Sequence, residues 1–374
     1  MTASPEERLS FPVSAAGSIR VAWVTGQEAL LRHARTLHTM AIGFIDEMTE
    51  VLALCPPEVD VQALPSPLIQ VLRYRYNRWW PWRGMRGLAG ELARREIGLL
   101  HCLEGTALEF TRRLAQAAGL PYVASCYSRH EARALGADPR QAGLLAASAP
   151  IADDLTGRFG TRNVFLVRPG VFRGDRVYPP RPPGRSAAIM AGGGRFDDAR
   201  AFEGVLKAFD LLRQRRGDCL FFLLGAGPAE HDIRRRAAGL GLLGLLTFID
   251  YAGPAQLPEI FQAADVYVSA RVTDGVDLPA LQAMAAGVPV VAAAGEGGSD
   301  FLLNARTAVL FRPNDGEDLA AKVIALLADP DAAAALVRGA GTMLEEQHSP
   351  AAMIGQLVHI YRHVLGGAKG TGSL

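Results

Sequence analysis

The chain has 374 residues, of which 49% are hydrophobic and 21% charged, and a formal net charge of +1. That length can bury a core in each of two domains, and the balanced charge gives no general attraction to nucleic acid or to anionic membrane. Its four cysteines form no CxxC pair and have no metal-like spacing, which favours reduced thiols. The polar first residues lack the apolar core of a signal peptide, so we expect a cytoplasmic protein, with peripheral contact to the inner face of the membrane as an option.

Strand and helix signals alternate through the first half of the chain. Short apolar runs predict strands at 20–24, 50–54, 61–64, 97–101, 122–125, 144–147 and 164–167, and helical patterns cover 30–44 and 107–118. Strands that are separated by helices predict right-handed crossovers and a parallel sheet covered on both faces.

The same alternation starts again after a proline-rich stretch. Four prolines within residues 177–186 are incompatible with a core strand or helix and predict a domain linker. Beyond it we predict strands at 187–190, 219–224 and 246–249, helices near 202–213 and 229–238, and a last amphipathic helix at 353–365. The fold class is therefore α/β, with two doubly wound parallel-sheet domains facing across a cleft.

The most informative segment is residues 264–292, ADVYVSARVTDGVDLPALQAMAAGVPVVA. Its pattern predicts a buried strand, a polar loop, a helix opened by Asp277 and Pro279, a glycine turn and a second buried strand. A loop that leads into a helix N-terminus between parallel strands favours anion binding, because amides and the helix dipole converge there. Asp277 can also cap this helix itself, which would occupy the amides that an anion needs.

This segment resembles the donor-binding signature of retaining glycosyltransferases of family 4, which have the GT-B fold. The family pattern is close to EGFGLPxLEAMAxGxPVVA, and Asp274 and Gln282 stand here at its two glutamate positions. The resemblance implies that Asp274 holds a hydroxyl of the donor sugar and that Gln282 holds the ribose. It also implies that Gly275, Val276 and Leu278 bind the donor, with Asp277 in place of a glycine.

The resemblance extends over nearly the whole chain and implies a domain order. Residues 1–178 would form a Rossmann-like domain on the acceptor side, and residues 179–348 a Rossmann-like domain that binds the nucleotide-sugar. Residues 349–374 would supply a helix that crosses back to the first domain, followed by a flexible tail.

Two arginines follow the first predicted strand of the second domain. Arg195 and Arg200 lie five residues apart, where the family has an arginine and a lysine. Fixed cations there would stabilise the charge that develops on a leaving diphosphate. The alternative is a pair of surface arginines that flank a helix start.

The resemblance assigns five further positions to the donor. Gly225 belongs to a tight glycine turn on the donor side, and Ile249, Tyr251 and Leu257 would form the wall for the nucleotide base. Gly26 follows the first strand, in a loop expected to face the donor phosphates.

Two residues of the first domain stand at strand ends that the family uses near the sugar. Tyr127 takes the position of the histidine that closes the family's VTxHG strand, and we assign it to the catalytic set. His101 resembles the first histidine of an HxH-like strand end and would lie on the acceptor side, although a strand-end histidine is more often structural. We expect no metal and no cofactor other than the nucleotide-sugar substrate.

Residues 71–87, VLRYRYNRWWPWRGMRG, interleave five arginines with aromatic side chains. Trp79, Trp80 and Trp82 could form an acceptor wall, a dock for a lipid phosphate or a membrane-interface patch. Alternatively, a loop could pack its tryptophans on the sheet edge and leave the arginines in solvent.

The resemblance therefore implies transfer of a sugar from a nucleotide-diphosphate donor to a glycan, lipid or small-molecule acceptor, with retention of configuration. The alternative function is a catalytically degenerate glycosyltransferase homologue that acts as a binding or regulatory partner. Sugar epimerisation on the same fold is a third, minor option.

Overall fold

A computed structural model describes residues 18–26, 29–30, 33–59, 69–75, 84–174, 184–250, 256–270 and 272–366. The chain consists of two compact units. The first is Met1–Gly170 together with Pro350–Leu374, and the second is Val171–Ser349. Residues 175–183 lie outside the described part of the chain, so the linker at 177–186 and the domain boundary at 178 stay predictions.

The first unit is built on a seven-stranded parallel sheet with the order β3-β2-β1-β4-β5-β6-β7. Its strands are β1 (Ile19–Val24), β2 (Thr49–Cys55), β3 (Gln70–Arg73), β4 (Leu99–Cys102), β5 (Tyr122–Cys126), β6 (Gln141–Ala146) and β7 (Val164–Leu166). Its helices are α1 (Ala34–Asp46), α2 (Met85–Arg94), α3 (Leu108–Ala118), α4 (Arg129–Ala134) and α5 (Ala149–Phe159). The predicted strand at 61–64 lies outside the described residues.

The second unit carries a six-stranded parallel sheet with the order β10-β9-β8-β11-β12-β13. Its strands are β8 (Ala187–Arg195), β9 (Cys219–Ala226), β10 (Leu246–Ile249), β11 (Val266–Ser269), β12 (Val290–Ala293) and β13 (Val309–Phe311). Its helices are α6 (Glu203–Arg216), α7 (Glu230–Gly239), α8 (Leu257–Gln262), α9 (Leu278–Ala285), α10 (Gly316–Ala328) and α11 (Pro330–Gln347).

The last helix, α12 (Pro350–Gly366), belongs to the first unit. Its buried face, which includes Leu357 and Tyr361, joins the hydrophobic core formed by Trp23 and Phe44. Phe44 lies on α1 next to Gly43, which faces Ile354 of α12. A Cβ atom on Gly43 would clash with the Ile354 side chain. The absence of a side chain at Gly43 therefore lets the two helices approach closely.

The prediction of two α/β domains with doubly wound parallel sheets is confirmed. Residues 71–87 differ from the loop considered above, because their first residues form edge strand β3 and their last begin α2. Within the described ranges, no helix has both the length and the hydrophobicity to cross a membrane.

Candidate functional site

The strand order of the second sheet defines one special place at its carboxyl edge. Strands β9 and β10 lie on one side of β8, whereas β11, β12 and β13 lie on the other. The loops after β8 and β11 therefore lead away from each other, and a crevice opens outside the ends of these strands. Arg195 ends β8, and the loop 272–277 follows β11, so two groups of predicted donor residues flank this crevice.

The loop 272–277 rests on a glycine-rich loop that follows β12. The Gly298 N–H donates to the Thr273 carbonyl oxygen at 2.8 Å. A Cβ atom on Gly298 would lie 2.6 Å from the carbonyl carbon of Gly275, and one on Gly295 would lie 2.6 Å from a methyl of Val272. Only glycine permits this approach. This support was not predicted from the sequence, although the residues GEGG shortly after a buried strand were a visible signal.

Asp277 caps helix α9, as the sequence analysis anticipated. One carboxylate oxygen accepts the Ala280 N–H at 3.0 Å, and the other accepts the Ser269 hydroxyl. The backbone N–H of Asp277 donates to Ser299 Oγ at 2.9 Å, and that of Leu278 donates to the Val276 carbonyl at 3.0 Å.

These bonds change what the N-terminus of α9 can offer to an anion. Pro279 has no N–H, and the Leu281 N–H bonds to the Asp277 carbonyl within the helix. Every backbone donor from Asp277 to Leu281 therefore has a partner inside the chain. The expected anion site at this helix end is filled by the protein's own carboxylate, and a phosphate could use the amide of Ala280 only by displacing it.

Arg195 is held at the edge of the sheet by a bulge and a buried anchor. The register between β8 and β9 shifts between Gly192 and Gly194, which re-aims the end of the strand. Phe196 is completely buried, and its backbone lies close to Gly227. A Cβ atom on Gly227 would lie 2.5 Å from the carbonyl oxygen of Phe196. The arginine side chain itself stays in solvent, 60% exposed.

Both predicted phosphate-binding arginines have aspartates beside them. Arg195 Nε donates to the Asp197 carboxylate at 2.6 Å. Such an exposed ion pair contributes little to stability, so a more highly charged anion can compete for the guanidinium. Arg200 is also exposed and lies in the short 3₁₀ helix Ala199–Phe202, which Asp198 caps by accepting the Arg200 N–H.

The remaining donor positions of the second unit have different environments. Asp274 is exposed and Gln282 is half-buried on α9, whereas Leu278 is buried. Gly225 has a φ of 137°, a conformation that favours glycine. Ile249, at the end of β10, is half-buried against the core.

The predicted base wall needs one correction. Leu257 is only 2% exposed and packs in the hydrophobic core with Leu224 and Phe261. Its apolar character serves the core, so its side chain does not face a surface open to a base. Tyr251, the third member of that wall, lies outside the described residues.

In the first sheet the corresponding crevice lies between β1 and β4, and a buried acid occupies it. Glu104 is 5% exposed, and its carboxylate accepts the Ala29 N–H at 2.6 Å. Its other oxygen lies where a side chain on Gly26 would project. The glycine after β1 thus makes room for Glu104, and its assignment to the donor phosphates stays a prediction. Glu104 was not predicted as a site residue, although an acid two residues after a buried strand was a usable signal.

His101 is a core residue, which corrects its assignment to the acceptor side. The side chain is completely buried on β4. Its Nδ1 lies 2.6 Å from the Tyr361 hydroxyl of α12, and its Nε2 lies 2.8 Å from Ser125 Oγ. Burial lowers the pKa of His101 to about 3, so the ring stays neutral and links the terminal helix to the sheet.

Tyr127, predicted to be catalytic, lies at the end of β5 and is half-buried. Its ring stacks on His33 with a centroid distance of 3.8 Å, and its N–H donates to Glu131 at 2.8 Å. Burial, with the Glu131 carboxylate, raises the pKa of the phenol, so Tyr127 can act only as a neutral hydrogen-bonding group. The cavity that it lines with His101 and Ser125 measures about 10 Å³, room for about one water molecule.

The predicted tryptophan site and the question of a bound metal are separate from these contacts. Trp79, Trp80 and Trp82 lie outside the described residues. Within the described ranges, no group of three or more His, Cys, Asp or Glu side chains is arranged to hold a metal ion.

The cap at Asp277 gives a prediction about stability. Asp277→Ala removes the acceptors of both the Ala280 N–H and the Ser269 hydroxyl, so we expect a loss of about 1 kcal/mol in the free energy of unfolding. Asp277→Asn keeps a capping oxygen, so its free energy of unfolding should fall by only a few tenths of about 1 kcal/mol. Urea denaturation of the two variants measures the difference. Equal stability of Asp277→Ala and Asp277→Asn would contradict the cap.

The burial of His101 gives a prediction about pH. Its pKa is about 3 when folded and 6.5 by reference when unfolded, so the unfolded state binds the proton first as the pH falls. This one group should reduce the free energy of unfolding by about 1 to 2 kcal/mol between pH 6.5 and about pH 5.

His101→Gln removes this titration, so the dependence of its stability on pH should be flatter than that of the unmodified protein. The exposed His231 provides the control, because His231→Gln should leave the slope unchanged. Denaturant unfolding at several pH values measures both slopes. The same slope for His101→Gln and the unmodified protein would mean that His101 is not a buried neutral histidine.

The second unit is similar to a known protein family. Residues 186–342 match the family model described as Glycosyl transferases group 1. The match begins just before β8 and ends within α11, so it includes the arginine positions, the capped helix and the glycine loop.

Curated relatives match part of the chain. D-inositol 3-phosphate glycosyltransferase of Nocardia farcinica is 31% identical over 171 residues, which are 44% of this chain and 38% of that protein. Glycogen synthase of Mycobacterium tuberculosis is 26% identical over 199 residues, 53% of this chain and 48% of that protein. The chain therefore spans less than half the length of these relatives.

Solved structures match nearly the whole chain. A glycosyltransferase from Rickettsia africae has a TM-score of 0.75 at 14% identity, covering 93% of this chain and 99% of its own. Anabaena HepE in complex with UDP-glucose has a TM-score of 0.73 at 14% identity, covering 91% and 98%. At this identity the likeness concerns the fold alone. The chain thus has the GT-B fold of glycosyltransferases, and residues 186–342 of its second unit match the model described as Glycosyl transferases group 1.

Proposed function

We propose that this protein is a retaining glycosyltransferase of the family 4 type, which moves a hexosyl group from a nucleotide-diphosphate donor to a glycan, lipid or small-molecule acceptor. The observation that carries the proposal is the placement of Arg195 and the loop 272–277 on the two sides of one sheet crevice. That crevice lies within the segment that matches the glycosyltransferase family. The structural relative HepE was solved with UDP-glucose, which supports a nucleotide-sugar as the donor.

In this proposal the protein supplies charge and position, and the leaving group takes part in the chemistry. Arg195 and Arg200 bind the diphosphate and stabilise the negative charge that grows as the bond between the sugar and phosphate breaks. The acceptor hydroxyl attacks from the same face and gives its proton to the departing phosphate oxygen, so the configuration is retained. No protein nucleophile is required.

Two side chains on the β11 side would position the donor. Asp274, exposed on the loop, would accept a hydrogen bond from a sugar hydroxyl. Gln282, one turn into α9, would bind the ribose with a neutral amide, which forms weaker hydrogen bonds than a carboxylate. We infer that the reaction takes place in the cytoplasm. Peripheral membrane contact through residues 71–87 is part of the same proposal.

The test is calorimetric titration with uridine, guanosine and adenosine diphosphates and their sugars. At least one nucleotide should bind, and Arg195→Ala should weaken it about tenfold because a charge-assisted hydrogen bond is lost. Arg200→Ala should act in the same direction.

Arg235→Ala is the matched control for these variants. Arg235 also lies in the second unit, is 69% exposed and pairs with Asp232 at 2.7 Å, much as Arg195 pairs with Asp197. Its replacement should leave nucleotide affinity unchanged. Absence of binding by every nucleotide would overturn the enzymatic proposal and leave the degenerate homologue, and equal losses in Arg195→Ala and Arg235→Ala would overturn the role of Arg195.

A second measurement tests the competition between Asp277 and phosphate. Asp277→Asn keeps the helix cap and removes the negative charge, so nucleoside diphosphate should bind several-fold more tightly to this variant. The nucleoside without phosphates should bind both proteins equally. Unchanged diphosphate affinity in Asp277→Asn would show that this carboxylate does not limit binding.

A further inference from the structure

A separate cavity lies in the first unit, away from the crevice between β1 and β4. It lies at the edge of the sheet, where β3 ends and α2 begins, and its volume is about 340 Å³. This is within the range of cavities that hold small molecules. No residue of the proposed glycosyltransferase site lines it.

Its charged lining is mainly cationic. Three arginines, Arg73, Arg75 and Arg94, and one carboxylate, Glu91, are among the described residues that line the cavity. Hydrogen bonds from Arg95 and Arg94 lower the pKa of Glu91, so that acid stays ionised and neutralises only part of this charge. The cavity therefore attracts anions.

One of these arginines is fixed in place. Arg73 donates to the carbonyl oxygens of Pro57 and Val59, at 2.5 and 3.1 Å, in the turn that follows β2. These bonds fix its guanidinium at the cavity before a ligand binds. Binding therefore costs less side-chain entropy than it would with an arginine that is free to move. Arg75, two residues further on, is exposed.

The inner wall is aromatic. The rings of Tyr74 and Phe110 stack with a centroid distance of 3.9 Å and an angle of 5°. The Tyr74 N–H donates to the Cys55 carbonyl at 3.0 Å, which fixes the tyrosine against the sheet. A flat apolar surface beside guanidinium groups suits a ligand that has a carbon skeleton attached to an anionic group.

The floor on the α2 side is open. Cβ atoms built on Gly84 or Gly87 would meet no atom within 4 Å. Both glycines line the cavity, so they leave space for a ligand rather than for a packing neighbour.

We propose that this cavity binds an organic phosphate, with the phosphate on Arg75 and Arg73 and the carbon skeleton against the Tyr74 and Phe110 rings. Arg is suited to this task because its planar fork matches phosphate oxygens. The ligand is a phosphorylated small molecule in solution or the phosphate headgroup of a lipid. The site lies outside the donor crevice, and binding of a soluble phosphate there does not depend on the proposed sugar transfer. Binding of a lipid headgroup would supply the membrane contact proposed for residues 71–87.

The test uses the full chain with two kinds of probe. Glucose 6-phosphate, glycerol 3-phosphate and glucose are titrated by saturation-transfer NMR. Sedimentation measures binding to phosphatidylcholine vesicles with and without about one-fifth phosphatidylglycerol. Arg75→Ala should weaken phosphate binding about tenfold, and Gly87→Leu should weaken it similarly because the new side chain fills the cavity.

Two matched variants separate the cavity from general effects. Arg162→Ala removes the same charge from another exposed position of the first unit, one that neither lines the cavity nor belongs to residues 71–87. Gly90→Leu adds the same side chain to the same helix, at another glycine with open space around it that is not part of the lining. Both should bind the probes within about twofold of the unmodified protein.

The outcomes distinguish a soluble phosphate from a lipid headgroup as the ligand, and they show whether the proposal holds. Binding of a soluble phosphate, lost in Arg75→Ala and Gly87→Leu only, supports a phosphorylated small molecule. Binding of anionic vesicles alone, with the same variant pattern, supports a lipid headgroup. The proposal is overturned if neither probe binds, if glucose binds as well as its phosphate, or if Arg162→Ala and Gly90→Leu weaken binding as much as the cavity variants. Nucleotide binding by the second unit is measured separately, so either result can fail alone.

Discussion

The reversal of strand order in each sheet is the constraint on which both crevices depend. In a parallel sheet every strand ends at the same edge, and the chain must leave that edge through a helix on one face or the other. Where consecutive strands are added on opposite sides of the first strand, their connections diverge and leave space. This occurs between β1 and β4 and again between β8 and β11. The topology therefore determines which polar residues come close together at these four strand ends, independently of any side-chain contact.

The chain places its own carboxylate at each of these positions. Glu104 accepts the Ala29 N–H in the first unit, and Asp277 accepts the Ala280 N–H in the second. Asp277 satisfies a backbone donor that would otherwise be unpaired at the start of α9, and Glu104 does the same for a donor between β1 and α1, which stabilises the fold. The same charge opposes a phosphate at short range. In the second unit, a bound phosphate would then replace the Asp277 carboxylate as the hydrogen-bond acceptor of the helix. Attraction to Arg195 and Arg200 would offset the repulsion between this carboxylate and the phosphate.

Much of the fold could be predicted from local patterns, because buried parallel strands are short apolar runs separated by helices. The cap at Asp277 was also predictable, since it depends on residues three positions apart. The bond between His101 and Tyr361 was not, because 260 positions separate these residues. Leu257 was misassigned since an apolar residue at a strand end has the same pattern whether it faces the core or a ligand. Strand β3 was missed because its arginine-rich neighbourhood lacks the apolar run of a buried strand; as an edge strand with exposed side chains it does not need one.

The most direct measurement of the central claim is a crystal structure with a bound nucleoside diphosphate. We predict that the phosphates contact the Arg195 guanidinium in place of Asp197, beside the loop 272–277, and that the Asp277 carboxylate leaves the Ala280 N–H or faces the phosphates across at least one water molecule. A diphosphate bound away from the ends of β8 and β11, with the pair of Arg195 and Asp197 intact, would contradict the account.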